Sequence, residues 1–171
     1  MEESGKRPGG LTALAVINFI LGGISLLGFF SVVSGLQMRM IEANEQILNE
    51  RIQNDPNLVV REPKIAEQKE KLENTKEALN DPIVKIISCS GLVIAALLIA
   101  SGVGYLKQKK LLGRTMGNLY AVISILLEMA NILIVYPKVD EKFGLLSLIG
   151  FIYPALTLFL LNVTFKDDLV E

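Results

Sequence analysis

Residues 115–137 read TMGNLYAVISILLEMANILIVYP, and their only charge is Glu128. About 20 mostly apolar residues carry a helix across a hydrocarbon core of roughly 30 Å. This stretch meets that length, and so do 8–38, 86–106 and 143–165, none of which holds a charge. Only helices and closed barrels cross a bilayer, because backbone polar groups must be satisfied internally. The alternating pattern of short barrel strands is not seen, so the four stretches are expected to be transmembrane helices. A buried helix of a soluble bundle would show a polar face, and these stretches lack one.

Within 115–137 the polar and small residues are ordered. Gly113, Gly117, Tyr120, Ser124, Glu128 and Asn131 follow at spacings of three or four, which puts them on one helix face. Gly113 and Gly117 form a GxxxG pair that lets a neighbouring helix approach. That face is therefore expected to point into the bundle. An ionised side chain at a helix centre costs about 2.5–3.5 kcal/mol on insertion scales. Glu128 should thus have hydrogen-bond partners, and no Lys or Arg lies within a span to offset it. Matching depths along the helices nominates Ser25, Ser90 and Tyr153. Two readings follow for this set. One is a proton-accepting or cation-contacting site; the other, simpler one is a polar clasp between helices, since only one acid is present.

Composition removes much else. The chain has 171 residues, no His, no Trp, one Cys and a net charge of −1. Without His there is no Ser-His-Asp triad and no imidazole metal ligand. Cys89 alone allows no intrachain disulfide and no thiolate zinc site, and reads as a small buried apolar residue. No phosphate-binding loop, dinucleotide fingerprint or HExxH motif occurs. No enzyme activity, cofactor or metal is therefore expected, and the charge balance gives no pull toward nucleic acid.

The organisation expected is a tail at 1–10, spans at 11–36, 83–106, 115–137 and 143–165, a polar segment at 37–82, a basic turn at 107–114, a short loop at 138–142 and a tail at 166–171. Lys6 and Arg7 precede an apolar stretch far longer than a signal-peptide core, so the first span reads as uncleaved. Lys107, Lys109, Lys110 and Arg114 crowd the second connection with no acid among them. By the positive-inside tendency, that turn and both termini are expected to be cytoplasmic. The same residues set topology and are placed to meet anionic lipid head groups. Tyr105 and Tyr136 fall where interfacial aromatics would sit. Asn162-Val163-Thr164 is a glycosylation sequon in a location that discounts it.

The polar segment is rich in helix formers, with breakers at Asn54-Asp55-Pro56-Asn57, Pro63 and Pro82. Ile41, Leu48 and Ile52, then Ile65, Leu72, Leu79 and Ile86, recur at seven or four, a stripe narrow enough for a coiled-coil seam. Lys69 and Lys76 are poor seam residues. The expected fold class is an all-α membrane protein with four transmembrane helices and an extracytoplasmic, coiled-coil-like helical hairpin between the first two. The hairpin is expected to meet a protein partner or a second copy through 37–82, as a structural, interaction or sensory element. The alternative is a small transporter, or a subunit of one, using Glu128.

The opening from Arg7 to Ile20 with Gly22-Gly23, together with the basic turn, Gly113-Arg114 and Tyr120-Ala121, resembles small bacterial multi-pass membrane proteins. The resemblance implies a bacterial inner-membrane setting and no particular activity. Claudins and tetraspanins share only the number of spans, since the cysteines of their outer loops have no counterpart here.

Overall fold

The computed structural model of the chain describes residues 9–56, 62–139 and 145–169, and among these there is no strand. The expected tail at 1–8, the tip of the polar segment at 57–61, the loop and span start at 140–144 and residues 170–171 lie outside the described residues.

Helix α1 (Gly9–Val33) has no charged residue and ends where Gly35 turns left-handed, at φ 67°. α2 (Leu36–Asn54) starts directly after it, with the Arg39 N–H donating to the Gly35 carbonyl at 3.1 Å. The first apolar helix thus stops at Val33 rather than at residue 36, because the left-handed residue redirects the chain. α3 (Pro63–Asn80) opens on a proline, whose missing N–H has no partner to lose in a first turn. Asp81 is extended and separates α3 from α4 (Pro82–Cys89). Its carboxylate caps α4, accepting from the Ile83 N–H at 2.7 Å. Ser90 keeps helical geometry, so α4 runs on into α5 (Gly91–Leu106).

Beyond the turn, a π-helical stretch Leu111–Thr115 leads into α6 (Met116–Ala130). A second such stretch, Asn131–Val135, joins α6 to the short α7 (Tyr136–Val139). α8 (Leu145–Phe159) contains Pro154 and finishes in a third, Leu160–Thr164. Four continuous helices are long and apolar enough to cross a membrane: Gly9–Val33, Pro82–Leu106, Leu111–Lys138 and Ser147–Thr164. Leu27, Phe30, Leu126, Leu133 and Phe159 on these helices are exposed. That would be costly in water and is ordinary against lipid, which is as apolar as leucine. The chain is a multi-pass membrane protein.

The spans are antiparallel to their sequence neighbours, and their packing is uneven along the bundle. At the end near Gly9 and the Lys107 turn, Leu11, Leu14, Ala15, Tyr105, Leu161 and Leu169 form a buried cluster. Gly104 and Gly113 are in backbone contact there, and a Cβ on Gly104 would overlap Leu112 and Gly113. Midway, Leu97, Leu98, Tyr120 and Ala121 form a second cluster. Toward Gly35 the spans part and a cavity opens. Tyr105, expected at the interface, is instead fully buried, because the close approach at Gly104 and Gly113 brings two helices and the end of the fourth around its ring. Cys89, expected to be buried, is exposed: it ends α4 at an open groove shared with Val32, Val33 and Met38.

α2 and α3 pack antiparallel, with Glu45 beside Lys76. Leu48 and Ile65 are buried, and Ile41, Ile52, Leu72 and Leu79 half-buried. Ile86 leaves the stripe and is exposed, because the break at Asp81-Pro82 resets the helical phase. Lys76 is accommodated by an ion pair with Glu45 at 2.9 Å, which raises its pKa through the hydrogen bond and the carboxylate charge.

Candidate functional site: a polar cavity at Glu128

Glu128 ends the regular part of α6, just before the π-helical stretch, a kind of widened turn often found at functional sites. Its carboxylate accepts from Tyr136 Oη at 3.0 Å and from Asn131 Nδ2 at 3.4 Å. Tyr136 Oη also lies 2.5 Å from the buried Ser147 hydroxyl of α8. The opposing helix contributes Gly150, where a Cβ would stand 3.1 Å from the Glu128 carboxyl carbon. A side chain there would press on the carboxylate. Pro154, one turn further, removes the N–H that would ordinarily serve the Gly150 carbonyl.

Of these residues Glu128, Asn131, Gly150 and Pro154 border a cavity of about 470 Å³. Its wall includes Ser25 of α1, Ser90 between α4 and α5, Tyr120, Ser124 and Glu128 of α6, Asn131 beyond it, and Tyr153 of α8. All seven residues nominated from the sequence therefore share one space, contributed by four spans. Phe29, Leu21, Ile94, Leu98, Leu127 and Ile149 supply apolar wall, and Gln37 marks its upper reach beyond the end of α1. The depth-matched hydroxyls do not all serve Glu128. Ser90 donates to the Ile87 carbonyl, and Tyr153 donates to Asn18 Oδ1.

That last bond closes the cavity floor. Asn18 is fully buried and donates from Nδ2 to Ser101 Oγ at 2.7 Å; Ser101 donates on to the Leu98 carbonyl at 2.9 Å. Below it the Tyr105 hydroxyl is buried against Gly117, without a hydrogen-bond partner among the described residues. Gly117 also faces Leu161 and has no room for a side chain, while a Cβ on Gly113 would press on Leu169 at 3.1 Å and on Tyr105 at 3.2 Å. The GxxxG pair thus receives a tyrosine ring from one helix and a leucine from another.

At the Lys107 end, Asn162 Oδ1 accepts from Arg114 Nε at 3.3 Å, Arg114 Nη2 at 3.2 Å and Asn118 Nδ2 at 3.2 Å. Asn162 Nδ2 returns a bond to Asn118 Oδ1 at 2.9 Å. The sequon asparagine is a tie between the third and fourth spans. Lys107, Lys109 and Lys110 are exposed beside it. At the opposite end Lys138 pairs with Asp81. Lys138 and the Ile83 N–H hold the Asp81 carboxyl below its usual range.

In the sequence Tyr136 reads only as an interfacial aromatic; its bond to Glu128, the part of Ser147 and the Asn18–Tyr153 bond escape it. Eight α-helical residues leave Tyr136 about 80° around the helix from Glu128, and the intervening π-helical stretch takes up much of that offset. A lone amide in an apolar span, Asn18, was the available signal for the floor. Among the described residues no group of three His, Cys, Asp or Glu could hold a metal ion.

Comparison with family models, with curated proteins and with solved structures finds no match. The fold and cavity define the class: an all-helical, multi-pass membrane protein with, among the described residues, one carboxylate in a cavity of mixed polar and apolar wall between its spans.

Proposed function

We propose that this chain binds a small polar or cationic solute between its spans, as a small transporter or a subunit of one, with Glu128 as the charged contact. The observation that carries this reading is the cavity itself. A helix clasp needs partners for the carboxylate but no space beside it. Here Glu128 has partners, Tyr136 and Asn131, and also borders about 470 Å³ of space. Pockets of 300–1,000 Å³ are the usual size for small-molecule sites. The cytoplasmic placement of both termini and of the Lys107 turn, in a bacterial inner membrane, belongs to the same proposal; the cavity then opens outward.

The test begins with water access. In a Cys89→Ser background, Ser124→Cys should react with a membrane-impermeant thiol reagent applied from the Gly35 side. In proteoliposomes, a solute or proton flux should be present in the wild type and fall at least tenfold in Glu128→Gln. Gln keeps an acceptor for Tyr136, so folding should be unchanged. An unreactive Ser124→Cys, or a flux indifferent to Glu128→Gln, overturns the reading.

A second reading rests on α2 and α3, proposed as an extracytoplasmic coiled-coil-like hairpin that contacts a partner or a second copy. Met40 and Ile47 are more than half exposed and Leu36 half exposed on an otherwise largely polar helix. Beside Ile47 an open groove of about 440 Å³ runs between the two helices over Leu48 and Leu72. Ile47→Cys in the Cys89→Ser background should crosslink to a second protein chain in native membranes, and Ile47→Glu should abolish association. Without a crosslinked species this reading fails.

A further inference from the structure

We infer that the solute held at Glu128 is an organic monocation, an ammonium group on an apolar body. The inference rests on the solute-binding reading above and deepens it. Three features of the wall select this chemistry. Charge comes first: among the described residues of the lining, Glu128 is the only carboxylate and no Lys or Arg contributes. An anion would meet a carboxylate with nothing to offset it, whereas a single positive charge balances it.

Surface is the second feature. Phe29, Leu98, Leu127 and Ile149 make much of the wall apolar. A bare sodium or potassium ion must shed water, and these side chains offer no oxygens in return. A divalent ion needs six or more oxygen ligands gathered at one point, and among the described residues no cluster of carboxylates gathers to hold one. An organic cation brings apolar area of its own, which the wall buries at about 25 cal/mol per Å².

Rings are the third. Tyr120 and Tyr153 stand with centroids 6.2 Å apart and planes inclined at 53°, both in the lining. Tyrosine faces attract ammonium groups within about 6 Å of the ring centroid, most strongly where water is excluded. Charge, apolar wall and rings all belong to the lining of the one space.

The chain supplies its own reporter. It has four Tyr and no Trp; Tyr120 and Tyr153 line the cavity and Tyr136 holds Glu128. The experiment titrates the purified full-length chain in micelles with phenethylammonium, with the isosteric neutral phenethyl alcohol, and with potassium chloride, following tyrosine fluorescence. Expected is a saturable change with phenethylammonium, weakened at least tenfold in Glu128→Gln. The alcohol should bind at least tenfold more weakly than the ammonium and be insensitive to the substitution, and potassium should not compete at matched concentration. Phenethylammonium should also protect Ser124→Cys from the thiol reagent.

Equal binding of alcohol and ammonium overturns the inference in favour of a neutral solute. Competition by potassium at matched concentration overturns it in favour of an inorganic cation. No saturable change with any probe overturns it outright. If Ser124→Cys is itself unreactive, the cavity reading fails first, so the two failures are distinguishable. Should Glu128→Gln fold poorly, Tyr120→Leu is the second variant, and undiminished ammonium binding in it overturns the ring contribution and with it the inference.

Discussion

Gly35 shows what one backbone angle decides. At φ 67° it lies in the left-handed region, and a Cβ built on it meets nothing within 4 Å. Gly35→Ala therefore isolates the conformational cost, expected at about 1–2 kcal/mol, measurable by unfolding in mixed micelles. Gly104 is the opposite case, with backbone contact and no freedom to move apart. Gly104→Ala should cost about 3 kcal/mol or more, while Gly23→Ala, with open space around it, should fall between no change and a gain of about 1 kcal/mol. In the floor, Ser101→Ala should cost about 0.6–1.7 kcal/mol, the range of hydrogen bonds between membrane helices. Asn18→Leu should cost more, since it strips partners from both Tyr153 and Ser101.

At the scale of elements, the break between α3 and α4 carries a pH signature. The folded-state pKa of Asp81 is lowered by Lys138 and by the Ile83 N–H. Its contribution is present above the ordinary carboxyl value of about 3.9 and lost as pH falls through the lowered folded value. Asp81→Asn should thus lower the thermal midpoint in detergent at pH 7, with the gap closing in acid and shrinking with salt. Asp81→Ala should sit below Asp81→Asn, because it loses the helix cap as well. This break was legible in Pro82, as were the starts and stops near Asn54 and Pro63. The π-helical stretches were not. Their register depends on which neighbours each span meets, and hydrophobic pattern does not record that.

For the molecule as a whole, four spans were readable because each apolar run satisfies the bilayer's length by itself. The polar face of the third span was readable from spacing: its Tyr120, Ser124, Glu128 and Asn131 line one cavity with the depth-matched Ser25, Ser90 and Tyr153. Which hydroxyl bonds to which was not readable: Tyr153 turns to Asn18, and Tyr136 takes Glu128. Depth alone ranks candidates, while helix rotation and tilt choose among them. Orientation is checked by reporter fusions. A reporter at residue 56 should respond as extracytoplasmic and one at Gln108 as cytoplasmic; the reverse pattern would overturn the positive-inside reading.

The pairing of Lys138 with Asp81 has a mechanical side. Lys138 lies two residues from Tyr136 on the same short helix, α7, and Tyr136 holds the carboxylate of Glu128. Gly104 and Gly113 are in backbone contact at the far end of the bundle. A load on α3 consequently arrives at the membrane carboxylate along a linkage of one ion pair and two residues, with α3 as the lever arm.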